Sequence, residues 1–208
     1  NKEITRLHFV AAVARIFQPG IKYDHVLLLH GVEGCGKSSL CSIMGGQWFS
    51  DNMMTLDGKE AIEGILGVWI AEWSELVAMR KSEVISQKAF VSREFDEFRP
   101  AYGREKIHVK RQCVFMATTN EAEPLKGLTG NRRFLPIEIK PEKRQWEDFR
   151  ASIMRDRDQL WAEAVAIYKQ GYDLKLSAKG MEAFWAHQEG INADENDDLF
   201  QDLDEWLE

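Results

Sequence analysis

Apolar residues recur along the chain with two kinds of spacing. Near the start the spacing is helical, and Ile4, Leu7, Ala11 and Ala14 predict an amphipathic helix that ends before Pro19. Short apolar runs further along predict buried strands, at residues 26–29, 68–71, 113–117 and 134–139. Helical stretches between them are predicted at 38–44, 57–65 and 76–91. Strands that alternate with helices are typical of an α/β fold, with a mostly parallel sheet sandwiched by helices.

A glycine-rich segment follows the first of these strands. Residues 31–38 read Gly-Val-Glu-Gly-Cys-Gly-Lys-Ser and fit the phosphate-loop pattern G-x-x-x-x-G-K-[ST] at every fixed position. A loop of this kind, after a buried strand and before a helix, directs its N–H groups at nucleotide phosphates. The alternative interpretation is an ordinary glycine-rich turn between strand and helix. Lys37 would supply a charge to the β- and γ-phosphates, and the Ser38 hydroxyl would take one Mg²⁺ position. The residues expected around ATP are Gly31, Gly34, Cys35, Gly36, Lys37, Ser38 and Ser39, with Cys35 a small filler turned away from the phosphates.

Polar residues follow the next two predicted strands. Glu72 comes directly after residues 68–71, with Glu75 just beyond, and Asn120 closes the Thr-Thr-Asn run after residues 113–117. Ligands bind at the carboxyl ends of parallel strands, so these groups should converge on the nucleotide. Glu72 would hold Mg²⁺ through water or orient the attacking water, Glu75 is the alternative base, and Asn120 would position that water. Each acid could equally be a solvated strand end or a helix cap.

Charge is distributed unevenly along the chain. The net charge of −7 argues against general affinity for nucleic acid, yet residues 80–111 are net basic and residues 194–208 hold no positive residue. Leu199, Leu203 and Trp206 share one face of a possible terminal helix. That acidic segment could dock on the core or on another protein, could be partly disordered, or could occupy the basic window as a mimic.

The cysteines and the lengths of the apolar runs indicate the cellular compartment in which we expect the protein. Three cysteines without metal-ligand spacing make a disulfide framework unexpected and favour a reducing compartment. No apolar run reaches the length of a membrane span, and no signal peptide is visible, so we expect a cytoplasmic protein without a membrane partner. The chain begins with Asn1 rather than Met, which suggests a piece of something longer.

Several segments in order carry a family resemblance: residues 31–38, 69–76, 88–93, 96–104, 111–115, 118–120 and 129–134. Together they resemble the virulence-associated E family over about residues 9–168. These are phage, prophage and pathogenicity-island proteins, whose ATPase core is similar to superfamily 3 helicases of the AAA+ class. The resemblance implies a P-loop NTPase fold, AAA+ like, in a bacterial cell. One departure is that Ala71 precedes Glu72, where many AAA+ proteins have adjacent Asp and Glu.

The resemblance also implies a DNA site in the basic window. In such helicases a hairpin between the acidic strand and the Thr-Asn strand grips single-stranded DNA. Tyr102 could stack on a base, and Gly103 could form the turn. The residues that would contact DNA are Lys88, Arg93, Arg99, Tyr102, Arg104, Lys106, Lys110 and Arg111, with His108 as a further candidate. The alternative is that several of them form ion pairs with Glu94, Asp96, Glu97 and Glu105.

Arg132 and Arg133 suggest an arginine finger. On an extended chain the two side chains point in different directions, so one could form a salt bridge within its subunit while the other reaches a neighbour's nucleotide. Family resemblance supports this interpretation, which requires a homo-oligomer such as a hexameric ring. Which of the two arginines would act as the finger stays open. The alternative is that they are a pair of surface residues without a role in catalysis.

These features lead to one functional hypothesis. The chain would be a DNA-dependent ATPase that uses ATP and Mg²⁺ as a ring helicase or translocase in replication of a mobile element. Expected partners are single-stranded DNA, further copies of the chain, and a primase domain or other replication proteins. Residues 1–140 would form the ATPase core and residues 141–208 a helical segment with an acidic tail. A small-molecule phosphotransferase and a non-catalytic ATP-dependent DNA-binding module stay open, whereas a GTPase is disfavoured because residues 119–122 lack Asn-Lys-x-Asp.

Overall fold

The computed structural model describes residues 2–52, 58–74, 89–99, 104–122, 124–125, 131–140 and 146–182. Its α-helices are α1 (Lys2–Phe17), α2 (Lys37–Gly45), α3 (Gly58–Glu63) and α4 (Trp146–Lys169). Its strands are β1 (Val26–His30), β2 (Phe49–Ser50), β3 (Ile70–Ser74), β4 (Phe95–Phe98), β5 (Ile107–Lys110), β6 (Val114–Thr119) and β7 (Phe134–Glu138). None of the helices in these ranges has the length and hydropathy that crossing a bilayer requires.

Within the described ranges, five strands form a parallel sheet in the order β2-β3-β6-β1-β7. The central strands β1 and β6 are apolar and buried along almost their whole length, as expected for strands covered on both faces. The mostly parallel sheet with flanking helices is therefore confirmed. The two-residue strand β2 was not predicted, and β3 begins two residues later than predicted and continues to Ser74.

One face of the sheet is covered by α1, α2 and α4. Leu27 and Met116 from the central strands pack with Leu7 and Ala11 of α1. The opening helix is predicted correctly, but it is buried on more than one side because α4 packs over it, with Trp161 edge-on to Phe9. The proposed division at residue 140 stays a prediction.

The opposite face is covered by α3, by the turn around Phe90 and by one side of a hairpin. Strands β4 and β5 pair antiparallel, so a hairpin does occupy the basic window. Its inner residue Phe98 joins the core cluster with Phe115. The turn that was assigned to Gly103 lies outside the described residues.

A buried ion pair attaches this hairpin to the core. The Arg111 guanidinium donates two hydrogen bonds to the Asp96 carboxylate, through Nε at 2.9 Å and through Nη2. It also donates to the Phe90 carbonyl and lies 4.5 Å from the Phe90 ring centre. The Arg111 side chain has no solvent exposure. The prediction that Arg111 contacts DNA is therefore wrong, because its charge is already fully engaged inside the core.

A second buried polar group, His8, lies in α1. His8 is completely buried, and its Nδ1 lies 3.1 Å from the Tyr23 hydroxyl oxygen. Burial lowers the pKa of His8 to about 3. The ring is therefore neutral near pH 7, which agrees with a structural role for this histidine.

Replacing Arg111 by Ala should destabilise the protein strongly. The change leaves the Asp96 carboxylate buried without its bidentate partner, and breaking a buried pair in this way lowers the free energy of unfolding by about 3–5 kcal/mol. Urea unfolding followed by circular dichroism measures the loss. Lys106→Ala is the control, because its pair with Glu97 is solvent-exposed, and it should leave the midpoint near that of wild type. Similar losses in both variants would contradict the buried-pair interpretation.

Candidate nucleotide-binding site

The glycine-rich loop connects the end of β1 to the start of α2. Gly34 and Gly36 have φ angles of 76° and 88°, in the left-handed region that a side chain disfavours. Gly36 is the residue directly before Lys37, the first residue of α2. The loop therefore turns through glycine backbone and presents the amino end of a helix, the arrangement that binds anions.

Gly31 lies where the loop passes close to the strand next to β1. A Cβ atom at this position would lie 2.2 Å from the Ile139 carbonyl oxygen. The Ile139 N–H in turn donates to the His30 carbonyl at 2.7 Å, which holds the two backbones together. Position 31 therefore requires glycine for two reasons: a side chain would clash with the Ile139 carbonyl, and the φ angle of 149° disfavours other residues.

Lys37 is held in one orientation by three oxygen acceptors. Its Nζ donates to the Gly31 and Val32 carbonyls at 2.8 Å each and to Asn120 Oδ1 at 2.9 Å, which uses its three N–H groups, and Cys35 Sγ lies 3.6 Å away. Only 7% of Lys37 is exposed. The ammonium group therefore joins the loop after β1 to the end of β6, as convergence of the strand ends predicts.

A cavity of about 550 Å³ opens over this loop. That volume is within the range of small-molecule sites. Its lining residues are Glu33, Gly34, Gly36, Lys37, Ser38, Ser39, Ser74, Thr118, Thr119 and Asn120. Most of the predicted ligand residues thus lie around one cavity, while Gly31 and Cys35 contact Lys37 instead.

Four of the lining residues had no predicted role: Glu33, Ser74, Thr118 and Thr119. Ser74 is the last residue of β3, and the rule that ligands bind at carboxyl ends of strands would have identified it if the end of β3 had been assigned correctly. Glu33 occupies a variable position of the loop pattern, so the motif alone does not identify it.

Glu72 lies inside β3 rather than after it, which corrects the predicted strand end. It is the third residue of the strand, is 1% exposed, and accepts a 2.7 Å hydrogen bond from Thr118 Oγ1. Thr118 lines the cavity, so Glu72 lies one side chain below the cavity wall. Its roles in metal binding and in water activation stay predictions, and Glu75 lies outside the described residues.

Ser38 is the described residue best suited to a Mg²⁺ ion. It is exposed, lines the cavity and follows Lys37 at the start of α2. In the part of the chain that the structure describes, no group of three or more His, Cys, Asp or Glu residues could hold a metal ion. A hydroxyl with phosphate and water oxygens suits Mg²⁺, which needs few protein ligands.

Arg132 and Arg133 lie at the other end of the sheet. They form a 3₁₀ turn with Asn131 at the start of β7, whose first residue pairs with the first residue of β1. Arg133 Nε donates to Ser92 Oγ at 3.0 Å and lies 3.9 Å from Asp24 Oδ2. Arg132 is exposed. The adjacent arginines therefore differ in exposure, although they lie in a 3₁₀ turn and not on the extended chain that the sequence argument assumed. Arg133 is engaged inside its own chain, and the role of either arginine at a neighbour's nucleotide stays a prediction.

The remaining basic candidates surround the hairpin. Arg99, Arg104, Lys106 and Lys110 are exposed, Arg93 is half-buried 3.8 Å from Asp96, and Lys88 and Tyr102 lie outside the described residues. The register puts Phe95, Glu97, His108 and Lys110 on the outer face of the hairpin. Phe95 is 58% exposed and lies beside the His108 ring, with 6.2 Å between ring centres. This aromatic pair was not predicted, although stacking on bases suits such side chains.

The loop glycines give a direct test of the geometry. Gly34→Ala introduces a left-handed alanine into open space, which should lower the free energy of unfolding by about 1–2 kcal/mol. Gly31→Ala should lower it clearly more, because the new Cβ meets the backbone carbonyl of Ile139. Urea unfolding of both variants measures the difference. Equal losses would contradict the close approach of the loop to residue 139.

Among solved structures, the chain is similar to the apo NrS-1 C-terminal region, with 17% identity and a TM-score of 0.52 over 74% of this chain and 39% of that chain. Two A-form apo structures of the same region are also similar. The first has 17% identity and a TM-score of 0.51 and covers 77% of this chain and 42% of that chain. The second has 19% identity and a TM-score of 0.53 and covers 75% of this chain and 40% of that chain. The chain thus spans about two fifths of that region, and the likeness shows the fold. No curated protein matches the chain. The model of the virulence-associated protein E-like domain matches residues 1–193, and the chain therefore belongs to that family.

Proposed function

We propose that this chain is a DNA-dependent ATPase that acts as a ring-forming helicase or translocase in replication of a phage or another mobile element. Its fold would be that of a P-loop NTPase of the AAA+ class. Membership of the virulence-associated protein E-like family, whose ATPase core resembles superfamily 3 helicases, supports a replication-associated protein, and the likeness to the NrS-1 C-terminal region supports the fold. The activity itself is argued from the site.

The contact between Lys37 Nζ and Asn120 Oδ1 at 2.9 Å carries the proposal. Lys37 belongs to the phosphate loop after β1, and Asn120 follows β6, the adjacent parallel strand. A γ-phosphate that approaches the Lys37 ammonium therefore comes within reach of the Asn120 amide. An ordinary glycine-rich turn does not account for a buried lysine directed at a polar cavity.

The proposal gives several residues at and near the cavity a role in hydrolysis. The backbone N–H groups of the loop would bind the phosphate oxygens, and Lys37 would stabilise negative charge that develops on the β- and γ-phosphates. Asn120 would orient the attacking water, and Glu72 or Glu75 would accept its proton. Mg²⁺, held by the Ser38 hydroxyl, would neutralise phosphate charge when bound.

The hairpin provides the proposed DNA surface. Phe95 and His108 would stack on bases, while the exposed cations around them would pair with phosphates. The chain continues from Lys110 at the end of β5 through Arg111 into β6, and β6 leads to Asn120. One buried strand therefore connects the proposed DNA surface with the nucleotide cavity. Such a connection is a physical route for coupling hydrolysis to DNA movement.

The first experiment measures ATP hydrolysis with and without single-stranded DNA, at protein concentrations that favour assembly. We expect DNA to stimulate wild-type hydrolysis, and we expect Lys37→Ala to lower the rate by roughly 10²-fold or more. Phe95→Ala should keep the basal rate and weaken DNA binding by about 5- to 150-fold, the range for loss of one stacked base. Met154→Ala, which removes a comparably exposed apolar side chain from α4 on the opposite face of the sheet, should leave both properties unchanged.

Other outcomes would identify the alternatives. Hydrolysis that is independent of DNA would overturn the motor proposal in favour of a phosphotransferase. Binding of ATP and DNA without turnover would favour a non-catalytic assembly module.

The proposal also assigns the arginine finger. Arg133 is bound to Ser92 and Asp24, so Arg132 is the side chain available to a neighbouring copy. Arg132→Ala should lower DNA-stimulated hydrolysis by about 10³-fold, the lower range for such residues. Mixing this variant with Lys37→Ala should restore part of the activity, because mixed assemblies pair an intact loop with an intact Arg132.

Arg133→Ala is the matched control for that mixing experiment. It should lower stability without being rescued by Lys37→Ala subunits. Rescue of Arg133→Ala instead of Arg132→Ala would reverse the assignment, and rescue of neither would contradict a finger supplied in trans.

A further inference from the structure

A second cavity, of about 520 Å³, lies at the amino end of the sheet, away from the phosphate loop. Its lining is almost entirely apolar and includes Trp48, Trp69 and Trp161, together with Ile16 and Phe17 from the end of α1. Trp69 stacks on Trp161 with ring centres 4.1 Å apart. Trp48 is 52% exposed, Ile16 44% and Phe17 57%. Large apolar side chains grouped and exposed in this way mark a surface that binds another apolar group.

The end of this chain has the complementary pattern. Leu199, Leu203 and Trp206 recur at the i, i+4 and i+7 spacing of a helix that binds in a groove. Every charged residue from Asp194 onward is acidic, so a helix here would present one apolar stripe and a hydrated acidic surface. The family model matches residues 1–193, so this segment follows the shared domain. It lies outside the described residues.

We propose that residues 194–208 bind in this apolar cavity of their own chain, with Leu199, Leu203 and Trp206 against its tryptophan-lined wall. Burial of these three side chains removes apolar surface from water on both partners. The acidic residues on the opposite side of the segment remain in solvent.

The length of the intervening chain permits binding within one molecule. The last described residues lie beside the start of α1, where the Ser177 N–H donates to Glu3 Oε1 at 2.6 Å. From Glu3 to Ile16 the helix rises about 20 Å. The residues between Glu182 and Leu199 can span up to about 50 Å when extended. A tether of this length gives an effective concentration of roughly millimolar, which favours the chain's own tail over that of another copy.

Hydrogen exchange of the full chain, measured by mass spectrometry, tests this proposal. In the wild-type protein the amides of residues 198–206 should exchange about tenfold or more slowly than those of a free peptide of the same sequence. Trp206→Ala in the tail and Trp48→Ala in the cavity should each bring exchange back to the peptide rate. Gln201→Ala is the matched control on the opposite helical side and should keep the protection.

Three results would overturn the proposal. Exchange of the wild-type tail at the peptide rate would mean that the tail is not bound. Protection that survives both Trp48→Ala and Ile16→Ser would mean that it binds elsewhere. Protection that disappears on dilution, together with a dimeric mass in light scattering, would assign the cavity to a second copy. Urea unfolding of the cavity variants, whose substituted side chains are about half exposed, separates loss of binding from loss of the fold.

Discussion

The parallel register of β1 and β6 is the constraint on which the candidate site depends. His30 pairs with Thr119, so both strands end at the same level of the sheet. The loop after one strand and the asparagine after the other therefore have to meet, and the Lys37 ammonium connects them. A shift of one residue in this pairing would turn the side chains of β6 to the other face and separate Asn120 from the loop.

Buried cations attach the other elements to the sheet. Arg111 has two hydrogen bonds to Asp96, and Arg15 donates to the Tyr23 and Cys113 carbonyls. A buried charge is strongly unfavourable without hydrogen-bond partners, so each guanidinium restricts the positions of the acceptors around it. The base of the hairpin is thus fixed against the start of β6, while the outer face of its two strands is exposed to solvent.

Local spacing was sufficient to predict the glycine-rich turn between β1 and α2, the opening helix and the central strands, because glycine positions and apolar periodicity report directly on backbone conformation. Tertiary contacts decided what the sequence could not. In the sequence Arg111 cannot be distinguished from the basic residues near it. In the structure it is buried against Asp96 and two aromatic rings. Phe95 and Phe98 are the same residue type in one short strand, and the sequence does not show which of them is buried. The pairing of the hairpin against the core leaves Phe95 exposed and buries Phe98. Glu72 was assigned to a strand end because the exact end of β3 depends on pairing with its neighbours.

The two ends of the sheet separate the chemical groups that the proposed mechanism requires. The phosphate loop, Asn120 and Ser74 lie at the carboxyl ends of the strands, whereas Arg132 precedes β7 at the amino end. The buried sheet lies between them, so an arginine at the amino end does not reach the cavity of its own chain. A copy whose amino end faces the carboxyl end of its neighbour would complete each cavity with a foreign arginine. Repetition of that head-to-tail contact would give a ring if the rotation between neighbouring copies closes. Hydrolysis under the proposed function is therefore a property of the assembly, and its rate should depend on protein concentration even when the nucleotide is saturating.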